Sequence, residues 1–148
     1  MAETLGTLSD KLTIVKLKQF HTEDEERLKS LKQQENQLQN EIDELVKDAV
    51  NGKIPPDKLT FSSNKVYKKE GNETQDLTGS IGQVFGILAD TNCKLWHVQE
   101  KVYEFETVPA AEKDGVIKEL AILNLERNNC IDEIDKLFVS LIKKGVDG

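Results

Sequence analysis

Residues 12–45 read LTIVKLKQFHTEDEERLKSLKQQENQLQNEIDEL, and two helical patterns meet within them at Lys18-Gln19-Phe20-His21-Thr22. Upstream, Leu5, Leu8, Leu12, Val15 and Leu17 recur mostly at three- and four-residue steps, which line up one face of an α-helix. A helix is therefore predicted over 3–21. Downstream, Leu28, Leu31, Leu38, Ile42, Leu45 and Ala49 form a heptad series with Glu35 in a slot that should be apolar. Such a narrow stripe is the seam of a paired helix. Thr22 followed by Glu25 has the spacing of a capping box, so the second helix is expected to restart there. It should run to about residue 51, where Gly52 can take the left-handed conformation that ends helices.

Working outward, residues 53–76 break the pattern with Pro55-Pro56, Ser62-Ser63-Asn64 and Gly71-Asn72. A connection of that length inside a compact domain is uncommon. It is read as a long irregular crossover containing one short helix. A third helix is predicted over 77–106 from Leu77, Ile81, Val84, Phe85, Leu88, Leu95, Trp96, Val102 and Tyr103. Gly79, Gly82 and Gly86 lie in its first turns, where each costs about 1 kcal/mol relative to alanine; close helix approach is the expected compensation. Pro109 suits the first turn of a fourth helix, carried through Val116, Leu120, Leu123, Ile131, Ile134, Phe138 and Leu141 to about residue 143.

The chain also rhymes with itself. Lys18-Gln19-Phe20-His21 and Lys94-Leu95-Trp96-His97 share Lys-x-aromatic-His, and the two hold the only histidines of the chain. Farther on, Ile42-Asp43-Glu44-Leu45 resembles Ile131-Asp132-Glu133-Ile134, with the extra spacing falling around residues 102–114. The expected fold is all-α: a single domain over 1–148, an antiparallel four-helix bundle built from two related helical hairpins, half-repeats 1–52 and 77–144, and crossover 53–76. A hairpin cannot bury its apolar stripe alone, so the halves must pack together.

Composition narrows the partners. With 148 residues, 37% hydrophobic, 32% charged and a formal charge of -7, the chain is long enough to bury a core and too acidic to favour nucleic acid or anionic membrane. Lys58, Lys65, Lys68 and Lys69 are the one basic cluster, read as a solvated loop. The first residues lack a basic-then-apolar leader, and about 18 consecutive apolar residues occur nowhere. A cytoplasmic location is expected, with Cys93 and Cys130 as free thiols.

Candidate chemistry is sparse. His21 with Asp24, and His97 with Glu100, are carboxylate–imidazole pairs at helical spacing, able in principle to hold a metal with Glu35; Asn124 stands where the second half would need another carboxylate. Asn124, Arg127, Asn128, Asp132 and Asp135 occupy successive turns of the fourth helix. Asn124 is expected level with Asn92 in a buried polar layer. An alternative has Trp96, His97, Asn124, Arg127 and Asn128 holding an anionic or sugar-like ligand, with Asp132 and Asp135 as a magnesium site for phosphate. With Glu41 and Glu44, these acids resemble the paired carboxylates of all-helical nucleotide pyrophosphohydrolases. No catalytic residue, and no cofactor, is assigned.

The stretch Asn92-Cys-Lys-Leu-Trp-His-Val-Gln-Glu100, followed by Leu123-Asn-Leu-Glu-Arg-Asn-Asn-Cys-Ile-Asp-Glu-Ile-Asp135, resembles a bacterial family of small helical domains of unknown function. Its pattern is Leu-Trp-x-x-acid, then Asn-x-x-Arg-Asn-x-x-Ile-x-x-Ile-Asp; Gln99 departs from it where the family tends to carry an acid. The resemblance covers about the C-terminal third and implies a cell-surface glycan context but no reaction. The leading expectation is a non-enzymatic helical interaction or scaffold module that binds a protein partner or self-associates as a dimer. Its alternative is a metal-dependent hydrolase or ligand-binding enzyme acting on nucleotides or nucleotide sugars.

Overall fold

The computed structural model describes residues 3–61 and 79–147. Among these, four α-helices and two short 3-10 turns form a helical bundle with no strand: α1 Leu5–His21, α2 Glu25–Val50, α3 Ile81–Tyr103 and α4 Ala110–Asp147. Helices α1 and α2 make one hairpin, α3 and α4 the other, and α1 touches all three of its fellows. Residues 62–78, which hold most of the expected crossover with Lys65, Lys68 and Lys69, lie outside the described residues. The described part of the crossover contains the expected short helix, a 3-10 turn at Pro56–Lys58.

Local chemistry sets the helix ends. The Thr4 hydroxyl accepts from the Thr7 N–H at 3.2 Å while the Thr7 hydroxyl accepts from the Thr4 N–H at 2.8 Å, satisfying two otherwise orphaned donors. At the start of α2 the cap is Asp24, whose carboxylate accepts from Glu26 N–H at 3.1 Å, and not Thr22 as the Thr22–Glu25 spacing predicted. A carboxylate at that site also meets the positive end of the helix dipole. Helix α2 ends as expected, with Gly52 at φ +78°. Helix α3 starts at Ile81, four residues later than predicted, because Ser80 and Gln83 form its capping box. Helix α4 runs past Gly145 to Asp147; a late glycine weakens a helix without ending it.

The glycines answer differently from expectation. A Cβ on Gly82 or Gly86 would meet nothing within 4 Å, so no helix approaches closely there. The close approach is at Gly6, where a Cβ would be driven into the Ile131 carbonyl oxygen and would sit 3.0 Å from Asp135 Oδ1. Helices α1 and α4 therefore pack backbone to backbone at this level.

Three apolar clusters make the core. Leu8 and Val15 of α1 interlock with Leu31 and Leu38 of α2, which is the heptad seam. Leu95 and Val98 of α3 pack with Val116 and Leu123 of α4. The largest cluster joins Leu5, Ala49, Val84, Leu88, Cys130, Ile134 and Phe138, with Leu59 delivered from the 3-10 turn. Each such side chain contributes roughly 1.5–3 kcal/mol by leaving water. Glu35, the interruption in the seam, is 7% exposed at its side chain and is held by Lys16 at 2.9 Å, Gln19 at 3.1 Å and Lys32 at 3.1 Å. These partners pull its carboxyl down to about 2.

The two histidine words end up in unlike places. His21 is the last residue of α1, whereas α3 runs on past His97 to Tyr103. The extra spacing of the second half is helix and 3-10 turn (Phe105–Thr107) rather than loop. No helix among the described residues is long and apolar enough to cross a membrane.

Candidate functional site

The site grows from a residue the sequence pattern passed over. Asp10 sits in α1, 6% exposed at its side chain, facing the α3–α4 hairpin. Its Oδ1 accepts from Arg127 Nε at 2.8 Å and from Asn92 Nδ2 at 3.0 Å, and its Oδ2 accepts from Arg127 Nη2 at 2.5 Å. Three helices thus share one carboxylate. A bidentate pair of this kind fixes orientation as well as charge, and it pushes the guanidinium's high pKa further up against the opposing effect of burial. Asn92 and Arg127 belong to the buried polar layer predicted from sequence; Asp10 completes it.

Asn92 is fully buried, yet its Oδ1 has no hydrogen-bond partner. A buried amide oxygen left unpaired costs on the order of 1–3 kcal/mol. Asn92 borders a cavity of about 370 Å³ among α1, α3 and α4, with its amide oxygen turned away from the open space; the other polar and aromatic lining is Lys18, Trp96, Gln99, Glu100, Tyr103, Asn124 and Arg127. That volume is at the small end of ligand sites. The Arg127 guanidinium carries five N–H groups, of which Asp10 takes two. The cavity is therefore lined by amides, a phenol, an indole, the Lys18 ammonium, the Glu100 carboxylate and the Arg127 guanidinium.

Trp96 is fixed from outside. His21 stacks on it with ring centroids 4.7 Å apart and planes within 10°, and Phe20 meets His21 edge-on at 5.2 Å. His21 does not reach the first cavity, and Trp96 borders it. A second cavity, also about 370 Å³, shares Lys18 and Trp96 with the first and adds His21, Thr22, Arg27 and Leu31.

Of the residues picked out as ligand-binding, Trp96, Asn124 and Arg127 come together in the first cavity. Asn128 is half-buried on α4 and is not part of that wall. His97 lies elsewhere: it lines a separate groove with Phe20, His21 and Cys93, and its Nδ1 is 3.9 Å from Glu100 Oε1 on the exposed side of α3. Both histidines line that groove, but Glu35 is bound to its lysines and Asn124 lines the first cavity.

The candidate metal ligands take the following places. No group of three or more His, Cys, Asp or Glu able to hold a metal occurs among the described residues. Asp24 caps α2. Asp135 accepts from Gly6 N–H at 2.7 Å and is hydrogen-bonded by the Thr4 side chain, while Glu41 and Glu44 are exposed on α2. The four acids likened to a pyrophosphohydrolase set do not converge. Burial raises the Asp135 carboxyl to about 6, against the lowering effect of Gly6 and Thr4, with Asp132 adding to the rise.

Comparison with protein-family models, curated proteins and solved structures finds no match to this chain. The likeness of the C-terminal third to a bacterial helical family rests on the quoted residues alone. Seven of them, Asn92, Leu95, Trp96, Gln99, Glu100, Asn124 and Arg127, line the first cavity.

Proposed function

We propose that this chain is a non-enzymatic binding module whose cavity among α1, α3 and α4 takes a small polar molecule bearing hydroxyl or N–H donors. One observation carries the reading: the amides of Gln99 and Asn124, the Tyr103 hydroxyl and the Trp96 indole line one cavity. Gln99, Asn124 and Tyr103 can each both donate to and accept from a ligand hydroxyl. The indole held in place by His21 suits the apolar side of a sugar or nucleoside ring. Binding is favoured over catalysis because the buried ion pair of the site is neutralised internally. The free thiols Cys93 and Cys130 support a cytoplasmic setting.

A thermal-shift panel of monosaccharides, nucleosides and their phosphates tests this. Compounds that raise the melting temperature of the wild type and lose that effect in Asn124→Leu support it. A panel with no stabilising compound, or with compounds indifferent to Asn124→Leu, ends it.

A second reading, self-association or a protein partner, is favoured by Phe20 and Tyr103, which are 83% and 85% exposed. Sedimentation of the wild type beside Phe20→Ser decides it: a dimer that Phe20→Ser dissociates supports the reading, and a monomer at every concentration removes self-association.

A further inference from the structure

We propose that the second cavity, walled by Lys18, His21 and Arg27 beside the shared Trp96, is a phosphoryl-binding subsite, so that the ligand of the module is a phosphorylated small molecule spanning both cavities. This deepens the binding-module reading and rests on it for the occupant of the first cavity.

The charge pattern is the argument. The chain carries an excess of seven negative charges, yet the three ionisable side chains of this wall are all basic and no carboxylate lines it. Five bases outside this wall meet a carboxylate: Lys11 meets Glu3, Lys16 and Lys32 meet Glu35, Lys94 meets Asp90 and Arg127 meets Asp10. Neither Lys18 nor Arg27 has a carboxylate partner among the described residues. Lys18 and His21 sit in the last turn of α1, where a base also answers the helix dipole. Arg27 has no such excuse. It is the third residue of α2, at the positive end of that helix, where a cation is disfavoured; Asp24, Glu25 and Glu26 flank it in sequence without entering the cavity wall.

An anion placed between α1 and α2 would be met by the Lys18 ammonium, the Arg27 guanidinium and, when protonated, the His21 imidazolium. Arginine and lysine are the usual phosphate partners, one as a planar fork and the other as a point charge. The geometry also links the halves of the ligand: Lys18 and Trp96 border both cavities, so a phosphoryl group in the second is adjacent to a ring in the first.

Titration with inorganic phosphate at low ionic strength, followed by the ring-proton resonances of the two histidines, tests the subsite. His21 reports it and His97 serves as internal control, with chloride at matched ionic strength as the blank. Saturable movement of His21 alone is expected, weakened about tenfold by Lys18→Gln or Arg27→Gln, each of which removes one charge-assisted contact. Equal movement of both histidines, or movement indifferent to both substitutions, overturns the subsite, as does no movement at all. Phosphate binding at His21 with no stabilising sugar or nucleoside leaves the subsite standing and sinks the first-cavity reading. Stabilising compounds without a phosphate response do the reverse.

Discussion

Asp10 and Arg127 are 117 residues apart in the chain and meet through two hydrogen bonds, with Asn92 donating a third to the same carboxylate. This contact ties the first hairpin to the second through the middle of the bundle. Removing one member of a fully buried pair costs roughly 3–5 kcal/mol. The Arg127 side chain is 34% exposed, so water recovers part of that loss, and Asp10→Ala is expected to cost about 2 kcal/mol. Urea denaturation of Asp10→Ala, Arg127→Met and the double variant measures it. The double variant should be more stable than the sum of the singles implies, because neither charge is then left alone.

Glycine substitutions separate contact from conformation. Gly6→Ala drives a methyl into the Ile131 carbonyl and is expected to destabilise by about 2 kcal/mol or more, the cost of overpacking. Gly82→Ala and Gly86→Ala, helical and open, should each stabilise by about 0.5–1 kcal/mol. Thermal melts of the three variants check both signs.

Two buried carboxylates act on stability in opposite directions. Asp135 stands at about 6 in the fold against an ordinary 3.8, so the fold prefers its protonated form. Its contribution grows as pH falls from about 6 toward 4, by about 2 kcal/mol once solvent screening is allowed for. Glu35 stands at about 2 against 4.5; its contribution is present above pH 4.5 and is lost as pH falls toward 2. Urea midpoints taken from neutral pH downward should therefore rise, then drop. Asp135→Asn should flatten the rise and Glu35→Gln the drop.

The two thiols should react unequally. Cys130 is fully buried and pushed up to about 11 by burial, with Glu126 and Asp10 adding to it, while Cys93 is exposed. A thiol reagent should modify Cys93 alone in the native protein and both after unfolding, since the thiolate is the reactive form. In Cys93→Ser, native labelling should vanish.

The helices and their pairing were legible because three- and four-residue apolar spacing reports directly on which face leaves water. Asp10 was not. An acid in an amphipathic helix reads as solvated unless both sides of that helix are covered, and α1 is covered by α2 on one side and by α3 and α4 on the other. A signal existed: the residues three and four positions away are Gly6, Thr7, Thr13 and Ile14, none of them a base that would partner an exposed aspartate. Gly82 and Gly86 misled for a related reason. Glycine in a helix pattern suggests contact, but only the partner's backbone decides it, and that lay at Gly6. Asp132 and Asp135 resemble half of a carboxylate set with Glu41 and Glu44 because acidic pairs at helical spacing look alike in sequence, whereas Asp135 turns to Thr4 and Gly6 at the start of α1.

Helix α1 meets α4 through carboxylates at two heights. Asp135 of α4 takes the Gly6 N–H near one end, and Asp10 of α1 takes Arg127 farther along. One peg would leave α1 free to pivot, and an apolar interface would let it slip by a turn with small loss. Two pegs rooted in opposite helices remove both the pivot and the screw motion, since any slip strands two acids at once. The width of the gap behind α1 is then set by rigid polar spacing, which is the condition for a pocket that discriminates ligands by size.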